Sequence, residues 1–287
     1  MILNKILNKI KLIPEIIISL ISLFKSGGFS KFEILYTNRS DLLKDKKILI
    51  TGGMSGIGLA MAKKFSNDGA LVLITGRDSK KFKSISKKLK NYNIKFIEWD
   101  VRKIKYFDTN LQKVCSILGG SIDILVNNAA IILDDDFFNI SEDTWTDVYN
   151  TNSKSVFFLC QSICRKWLKE KNKNIKKIIN ISSQGGFVGA TYPYRLTKWD
   201  IAGLTQGLAI KMIKHKIIVN GIAPGIVATK MVPQYLKEKN NIYCNINPIK
   251  RFAFPEEIAE LAAFIASDSS NYIVGQTIVC DGGYSIR

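Results

Sequence analysis

The chain has 287 residues, of which 46% are hydrophobic, and a formal net charge of +18 at pH 7. This composition is typical of a soluble globular protein, and the length suits one large α/β domain or two small ones. The excess lysine and arginine is spread along the chain. That spread argues against nucleic-acid binding, and it favours a solvated basic surface that attracts anionic ligands over a polyanion-binding or membrane-binding face.

The first 44 residues differ in pattern from the rest, so we predict an N-terminal amphipathic helical extension and linker over 1–44, followed by one domain over 45–287. Apolar residues recur at helical spacing within residues 2–24. Pro14 and Glu15 interrupt the segment, whose longest weakly charged run is shorter than the ~20 residues of a membrane-spanning helix. Two alternatives remain: peripheral contact with an anionic membrane surface, and packing on the domain or a second subunit.

From Lys46 onward, short apolar runs alternate with longer amphipathic segments, which predicts a single Rossmann-like, doubly wound parallel sheet of about seven strands flanked by helices. The predicted strands are KILI, ALVLIT, IKFIEW, IDILVN, KKIINIS, KIIVNGI and QTIVC. The predicted helices are GIGLAMAKKFSND, DSKKFKSISKKLKN, TDVYNTNSKSVFFLCQSICRKWLKE, YRLTKWDIAGLTQGLAIKMIK and PEEIAELAAFIASD.

A glycine-rich segment, TGGMSGIG, joins the first predicted strand to a helix. Glycines in this position permit a tight turn, let backbone N–H groups approach a pyrophosphate and direct the helix N-terminus at its charge. The segment therefore predicts a nucleotide-binding turn, in which the candidate cofactor-binding residues are Gly52, Ser55, Gly56, Ile57 and Gly58.

The second predicted strand ends in LVLITGRD, where Arg77 precedes the first acidic residue, Asp78. A carboxylate at the end of this strand would bind the ribose hydroxyls of NAD, whereas an arginine suits the 2′-phosphate of NADP. The sequence therefore favours NADP over NAD. In the alternative interpretation, Asp78 caps the next helix and Arg77 is merely solvated.

The segment YPYRLTK contains two tyrosines ahead of a lysine. Tyr194 and Lys198 are four residues apart in a helical pattern and so share a face, whereas Pro193 suits the first turn and leaves Tyr192 outside the helix, as a wall of the substrate cleft. A nearby ammonium group would lower the pKa of Tyr194 and make it a general acid or base. We expect Arg195 to face elsewhere.

These motifs together resemble the short-chain dehydrogenase/reductase family of the classical type. TGGMSGIG is similar to its cofactor turn, NNAA to its NNAG element, and WDV contains Asp100 at its adenine-contacting position. Asn152 in YNTNSKSVFF, Ser183 in INISSQGG and the pair Tyr194 and Lys198 match its active-site residues. The resemblance covers about Lys46 to the C-terminus, in one order along one chain.

The resemblance implies hydride transfer between a nicotinamide and a carbonyl or secondary alcohol. It assigns catalytic roles to Asn152, Ser183, Tyr194 and Lys198, with Asn152 anchoring a water that relays protons to Lys198. Cofactor contacts are implied at Asp100, Val101, Asn128, Tyr194, Lys198, Pro224, Gly225 and Thr229. Two alternatives from other classes are a catalytically silent nucleotide-binding sensor or scaffold, and a sugar-nucleotide-modifying relative.

Two features depart from the family pattern. Ser183 precedes Tyr194 by only eleven residues, so Ser182 is an alternative to Ser183. The NNAA change adds a methyl group, and we expect it to leave Asn127 beside the cofactor.

The long connection from Val232 to Phe254 is expected to form a substrate lid that includes Tyr235, Leu236, Tyr243 and Ile246. These aromatic and aliphatic side chains are compatible with a 3-oxoacyl thioester, a steroid-like ketone or a modified sugar. The family resemblance also implies a homo-oligomer, a tetramer or a dimer. No metal site is predicted, because the five scattered cysteines include no CxxC pair and no cluster with the single histidine. Their odd number is typical of a reducing compartment and predicts a cytoplasmic location.

Overall fold

The computed structural model describes residues 41–133, 136–171, 174–232 and 243–286, together with Ile17 and Ile21. Of the predicted extension over 1–44, the structure describes only residues 41–44 and these two helical, half-exposed isoleucines. The packed domain includes Leu43, which is fully buried against the first helix and whose N–H donates to Asp68 O at 2.8 Å.

Seven parallel strands form one sheet in the order β3-β2-β1-β4-β5-β6-β7, which confirms the predicted strands and fold class. Their bounds are β1 Lys47–Ile50, β2 Leu71–Gly76, β3 Ile94–Glu98, β4 Ile124–Asn127, β5 Lys176–Ile181, β6 Ile217–Pro224 and β7 Thr277–Cys280. The order reverses direction between β1 and β4, where the carboxyl ends of neighbouring strands open a crevice.

Helices cover both faces of this sheet. They are α1 Gly56–Asn67, α2 Ser79–Ser86, α3 Phe107–Ile117, α4 Glu142–Tyr149, α5 Ser155–Lys169, α6 Pro193–Met212 and α7 Pro255–Ala266. A π-helical turn, Asn150–Lys154, joins α4 to α5. None of the helices in the described ranges is long and apolar enough to cross a membrane.

The central strands are mostly apolar because they lie between two hydrophobic cores. Ile48 and Ile50 of β1 join the core under α1 and α7, whereas Leu49 between them joins the core under α3, α5 and α6. Alternate residues of a strand point to opposite faces, so burial on both sides requires a continuous apolar run. This double burial fixes the register that brings the strand ends together.

One helix, α3, is absent from the helices predicted from the sequence. Its buried positions are only Phe107, Leu111 and Val114, and polar residues fill the rest of the helix. Such a narrow apolar stripe gives a weak periodic signal, although it is sufficient to cover the sheet beside α5.

Candidate active site

The turn after β1 approaches its neighbours too closely for side chains. A Cβ atom on Gly58 would lie 2.5 Å from Asn128 Nδ2 and 2.6 Å from Gly52 O, and Gly52 itself has a φ of +68°. Asn128 donates from Nδ2 to Thr51 O at 2.9 Å and to Gly52 O at 3.1 Å. Asn128 therefore holds the shape of the turn, and the turn leaves backbone groups at the crevice.

The start of α1 fits a pyrophosphate. Ser55 precedes the helix in an extended conformation and makes no side-chain capping bond to it, so it leaves the first-turn N–H groups to other acceptors. Gly56 has a φ of +54°, and its missing Cβ leaves space beside Thr229 Cγ2, 3.2 Å from the Cβ position. Ile57 instead packs against the core, so only its backbone faces the crevice. This end of α1 could hold the diphosphate of a dinucleotide.

The acidic and basic candidates at the end of β2, Asp78 and Arg77, have different surroundings. Asp78 Oδ1 accepts from Lys81 N at 2.9 Å and caps α2, as one of the two interpretations predicted. Arg77 is exposed beside it. The carboxylate nearest to the expected ribose site is therefore engaged with the helix, and the exposed cation is Arg77.

Asp100 is paired rather than free. Arg102 Nη2 lies 2.8 Å from Asp100 Oδ2, and Arg102 Nε donates to Oδ1 at 3.1 Å. The Arg102 hydrogen bonds hold the pKa of Asp100 below its usual value. Arg102 Nη1 also lies 3.6 Å from Asp147 Oδ1 of α4. The side chain of Val101 is buried. Arg102, which the sequence analysis missed, therefore links the expected adenine position to α4.

The tyrosine and lysine lie as predicted at the start of α6. Pro193 is in the first turn, and Tyr192 precedes the helix in an extended conformation. Lys198 Nζ lies 5.3 Å from the centroid of the Tyr194 ring and donates to Ile181 O, at the end of β5, at 3.0 Å. The two side chains thus share one face of α6, above the carboxyl end of β5.

The expected direction of the Tyr194 pKa is wrong in this structure. Part of the Tyr194 side chain is exposed, but burial around its hydroxyl raises its pKa, and a hydrogen bond with Ser183 opposes this only partly. Burial also lowers the pKa of Lys198 to about 8. Desolvation penalises the charged forms of both side chains and is the largest cause of each shift.

The two serines have different partners. Ser182 is buried, and its hydroxyl donates to Lys198 O at 2.8 Å inside the domain. Ser183 forms a hydrogen bond with the Tyr194 hydroxyl, and its Oγ accepts from Gly185 N at 3.1 Å. Of the two candidates, only Ser183 shares the cleft with Tyr194.

Asn152 lies in the π-helical turn and ties the loop after β4 to α6. Its Oδ1 accepts from Ile131 N at 2.9 Å, and its Nδ2 donates to Ile131 O at 2.8 Å and to Thr197 Oγ1 at 3.3 Å.

The position of Asn127 differs from the expectation that it lies beside the cofactor. It is 3% exposed and donates to Asn180 Oδ1 at 2.8 Å, so its side chain lies in the core rather than beside a cofactor.

The last residues of the chain close the far side of the crevice. Pro224 ends β6, and a Cβ on Gly225 would lie 2.6 Å from Asp281 Cα. The Asp281 carboxylate accepts from Gly283 N at 2.9 Å and from Ser285 N at 2.8 Å, which folds the C-terminal segment back on itself. This segment is not among the predicted site residues.

Part of the expected lid is described. Tyr235 and Leu236 lie outside the described residues. Tyr243 forms a bridge with Arg251, and buried Cys244 and Phe252 pack with Ala228 in a small separate core. The base of the connection is therefore anchored to the loop after β6.

A dinucleotide-binding parallel sheet with serine, tyrosine and lysine at its carboxyl edge defines an NAD(P)-dependent oxidoreductase, which transfers a hydride between a nicotinamide and a carbonyl or secondary alcohol. Residues 52–285 match the family model described as enoyl-(acyl carrier protein) reductase. The chain belongs to the short-chain dehydrogenase/reductase family.

The names of similar proteins indicate two kinds of substrate. A 3-oxoacyl-(acyl-carrier-protein) reductase of Aquifex aeolicus is 33% identical over 246 residues, covering 84% of this chain and 98% of that protein. The 2-dehydro-3-deoxy-D-gluconate 5-dehydrogenase of Dickeya dadantii is 34% identical over 251 residues, covering 85% and 97%. The Pseudomonas aeruginosa RhlG/NADP active-site complex has a TM-score of 0.78 and 27% identity, covering 88% of this chain and all of that one.

Proposed function

We propose that the chain is an NADP(H)-linked reductase of 3-oxoacyl thioesters. The observation that supports the reaction best is the hydrogen-bonded pair of Ser183 and Tyr194, one helical turn from buried Lys198. The substrate class is supported by the similarity to the Aquifex aeolicus reductase along nearly its whole length.

Each side chain has a defined part in this reaction. Bound NADPH supplies the hydride to the carbonyl carbon. Ser183 donates a hydrogen bond to the carbonyl oxygen, and Tyr194 gives that oxygen its proton, so the ketone becomes a secondary alcohol. The raised pKa of Tyr194 keeps the phenol protonated at neutral pH, as a proton donor requires. Lys198 would contact the nicotinamide ribose and return a proton to the phenolate.

Asn152 would support the same proton path. Its side chain holds Ile131 and Thr197 in place, and the π-helical turn around it is an irregularity that often marks functional sites. The water relay implied by the family resemblance belongs to this proposal.

The preference for NADP rests on charge at the end of β2. The exposed Arg77 guanidinium suits the 2′-phosphate, and Asp78, the carboxylate that would otherwise favour NAD, already caps α2. Gly52, Gly56, Gly58, Pro224, Gly225 and Thr229 would line the rest of the cofactor path.

We also propose a cytoplasmic homo-oligomer. Helices α5 and α6 leave Phe157 48% exposed and Ile210 78% exposed, and apolar side chains of this size favour burial in an interface. Light scattering after gel filtration measures the mass of the assembly.

A flotation assay with anionic vesicles tests membrane contact through residues 2–24 against packing on protein. It compares the chain beginning at Met1 with a chain beginning at Asp41; binding by the longer chain alone supports membrane contact, and equal failure of both to bind supports packing on protein.

The substrate class is tested by following NADPH absorbance with two reactant pairs, NADPH with acetoacetyl-CoA and NADP⁺ with 2-dehydro-3-deoxygluconate, whose hydroxyl would give up the hydride, using the Tyr194→Phe variant as the blank. The proposal expects consumption with the thioester that the variant lacks. NADPH formation with the sugar acid and no consumption with the thioester would overturn the substrate assignment, and no change in NADPH with either pair would favour the nucleotide-binding sensor.

A further inference from the structure

Arg195 contacts the wall of the substrate cleft, contrary to the expectation that it faces elsewhere. Its Nε donates to Tyr192 Oη at 3.1 Å, its Nη1 donates to Gly189 O at 3.1 Å, and Tyr284 accepts a further hydrogen bond. The Tyr192 ring in turn stacks on the Tyr194 ring, with a centroid distance of 6.5 Å and an interplanar angle of 14°. Arg195 is therefore one aromatic ring away from the proposed proton donor.

Gly185 shows how near Arg195 lies to the other reacting group. A Cβ on Gly185 would be 2.9 Å from Arg195 Cγ and 3.6 Å from Ser183 Oγ. The aliphatic stem of Arg195 thus crosses the loop beside Ser183, and only a glycine leaves room for it. The cation is held at the cleft from both sides, by the loop after β5 and by the C-terminal Tyr284.

The guanidinium of Arg195 lacks a negative partner in the part of the chain that the structure describes. Its acceptors are two phenol oxygens and one peptide carbonyl, all neutral. Arg102 and Arg251, by contrast, each form an ion pair with a carboxylate at 2.8 Å and 2.7 Å. A guanidinium has five N–H donors, so these three acceptors leave donors for a ligand at the partly exposed side chain.

We infer that Arg195 is an anion-binding residue of the substrate cleft, which selects carbonyl substrates that carry an oxyanion. Guanidinium pairs with carboxylate and phosphate in the same bidentate geometry. The oxyanion has two sources, a carboxylate close to the ketone or the phosphate of a phosphopantetheine-linked thioester. The inference rests on the proposed function, because it concerns the substrate of the same site.

Calorimetric titration of the NADP⁺-loaded protein tests the inference with two matched ligand pairs. One pair is acetoacetate and ethyl acetoacetate, and the other is acetoacetyl-CoA and acetoacetyl-N-acetylcysteamine. We expect the wild-type protein to bind the anionic member of at least one pair about tenfold more tightly. Arg195→Met should abolish that preference and Arg195→Lys should retain part of it. The pair that responds identifies the carboxylate or the phosphate as the source.

Arg165→Met is the matched control, because Arg165 is an exposed arginine of α5 and its replacement removes the same charge. It should leave the preference unchanged, and circular dichroism checks that each variant is folded. Equal affinity of the wild-type protein for both members of each pair would overturn the inference, as would equal weakening of both members by Arg195→Met. If the wild-type protein prefers the anionic ligands but does not consume NADPH with any carbonyl substrate, the proposed function is contradicted and the inference about Arg195 stands.

Discussion

The cofactor side and the substrate side of the crevice are built from different material. The cofactor side is one continuous turn from Thr51 to Gly58, whose glycines exclude side chains and present backbone groups. The substrate side combines side chains of Ser183, Tyr194, Arg195 and Tyr284, which come from separate segments of the chain. The contrast implies that the cofactor side is sensitive to added atoms, whereas the chemistry and selectivity of the substrate side change with single side-chain deletions.

Ser183→Ala tests the substrate side and should have a larger effect on activity than the cofactor-side changes described next. Loss of the hydrogen bond to the carbonyl oxygen should lower kcat by about a hundredfold. Ser182→Ala is the matched comparison. Its hydroxyl bonds Lys198 O in the interior, so the change should lower the free energy of unfolding by roughly 1–3 kcal/mol instead. Steady-state kinetics measure kcat and urea unfolding measures the free energy of unfolding of both variants. A larger loss of kcat in Ser182→Ala than in Ser183→Ala would assign the catalytic role to Ser182.

Gly58→Ala tests the cofactor side. The added methyl group would lie 2.5 Å from Asn128 Nδ2 and 2.6 Å from Gly52 O, so the turn must shift, and we expect NADPH to bind at least tenfold more weakly. Gly203→Ala, in the middle of α6, meets no atom within 4 Å and should stabilise the helix by about 0.5–1 kcal/mol. Fluorescence titration with NADPH compares them. Unchanged binding by Gly58→Ala would contradict the account of a turn without room for side chains.

Arg77→Ala sharpens the contrast, since Arg77 is expected to bind the cofactor through its side chain and not through the backbone. Removing a guanidinium from a phosphate should reduce the preference for NADPH over NADH by about tenfold. The ratio of the two kcat/KM values measures this preference, and Arg165→Met again removes an exposed arginine elsewhere. An unaltered ratio in Arg77→Ala would leave Arg77 merely solvated.

Lys198 lies where the two sides meet, and its burial predicts a pH-dependent stability. Its pKa falls from 10.5 to about 8, so the folded protein binds this proton less strongly than the unfolded chain. Above pH 10.5 the side chain is neutral in both states and its burial costs no ionisation energy; the cost grows as the pH falls and is complete below about pH 8, where the buried lysine is charged. Lys198→Met removes this cost, so the free energy of unfolding of the variant relative to the wild type should be higher at pH 7 than at pH 10 by roughly 2 kcal/mol. Urea unfolding at both pH values measures the two differences; the same difference at pH 7 and pH 10 would contradict the lowered pKa of Lys198.

The sequence predicts the sheet and the cofactor turn because their determinants are local. Strands such as β2 are buried on both faces and therefore appear as nearly continuous apolar runs. The four-residue spacing of Tyr194 and Lys198 matches the helical repeat, so it predicts that the two side chains share a face. The choice between Ser182 and Ser183, and the contacts of Arg195 with Tyr284, depend on long-range packing that spacing does not encode.

The pKa of Tyr194 is the clearest case of a tertiary effect. The sequence places a cation one turn away and so predicts a lowered pKa, but burial of both groups raises the tyrosine value and lowers that of Lys198. Because the pKa of Tyr194 is raised and not lowered, its phenol is interpreted as a protonated donor and not as a base. A protonated phenol suits the reducing direction of the proposed reaction.

The most direct test of this account is the turnover of Tyr194→Phe with NADPH and acetoacetyl-CoA, alongside its affinity for NADPH. The variant keeps the ring that stacks on Tyr192 and loses only the hydroxyl that bonds Ser183. We expect kcat to fall by a factor of about 10²–10⁴ while the dissociation constant of NADPH stays close to that of the wild type. Turnover that survives in Tyr194→Phe would contradict the assignment of Tyr194 as the proton donor.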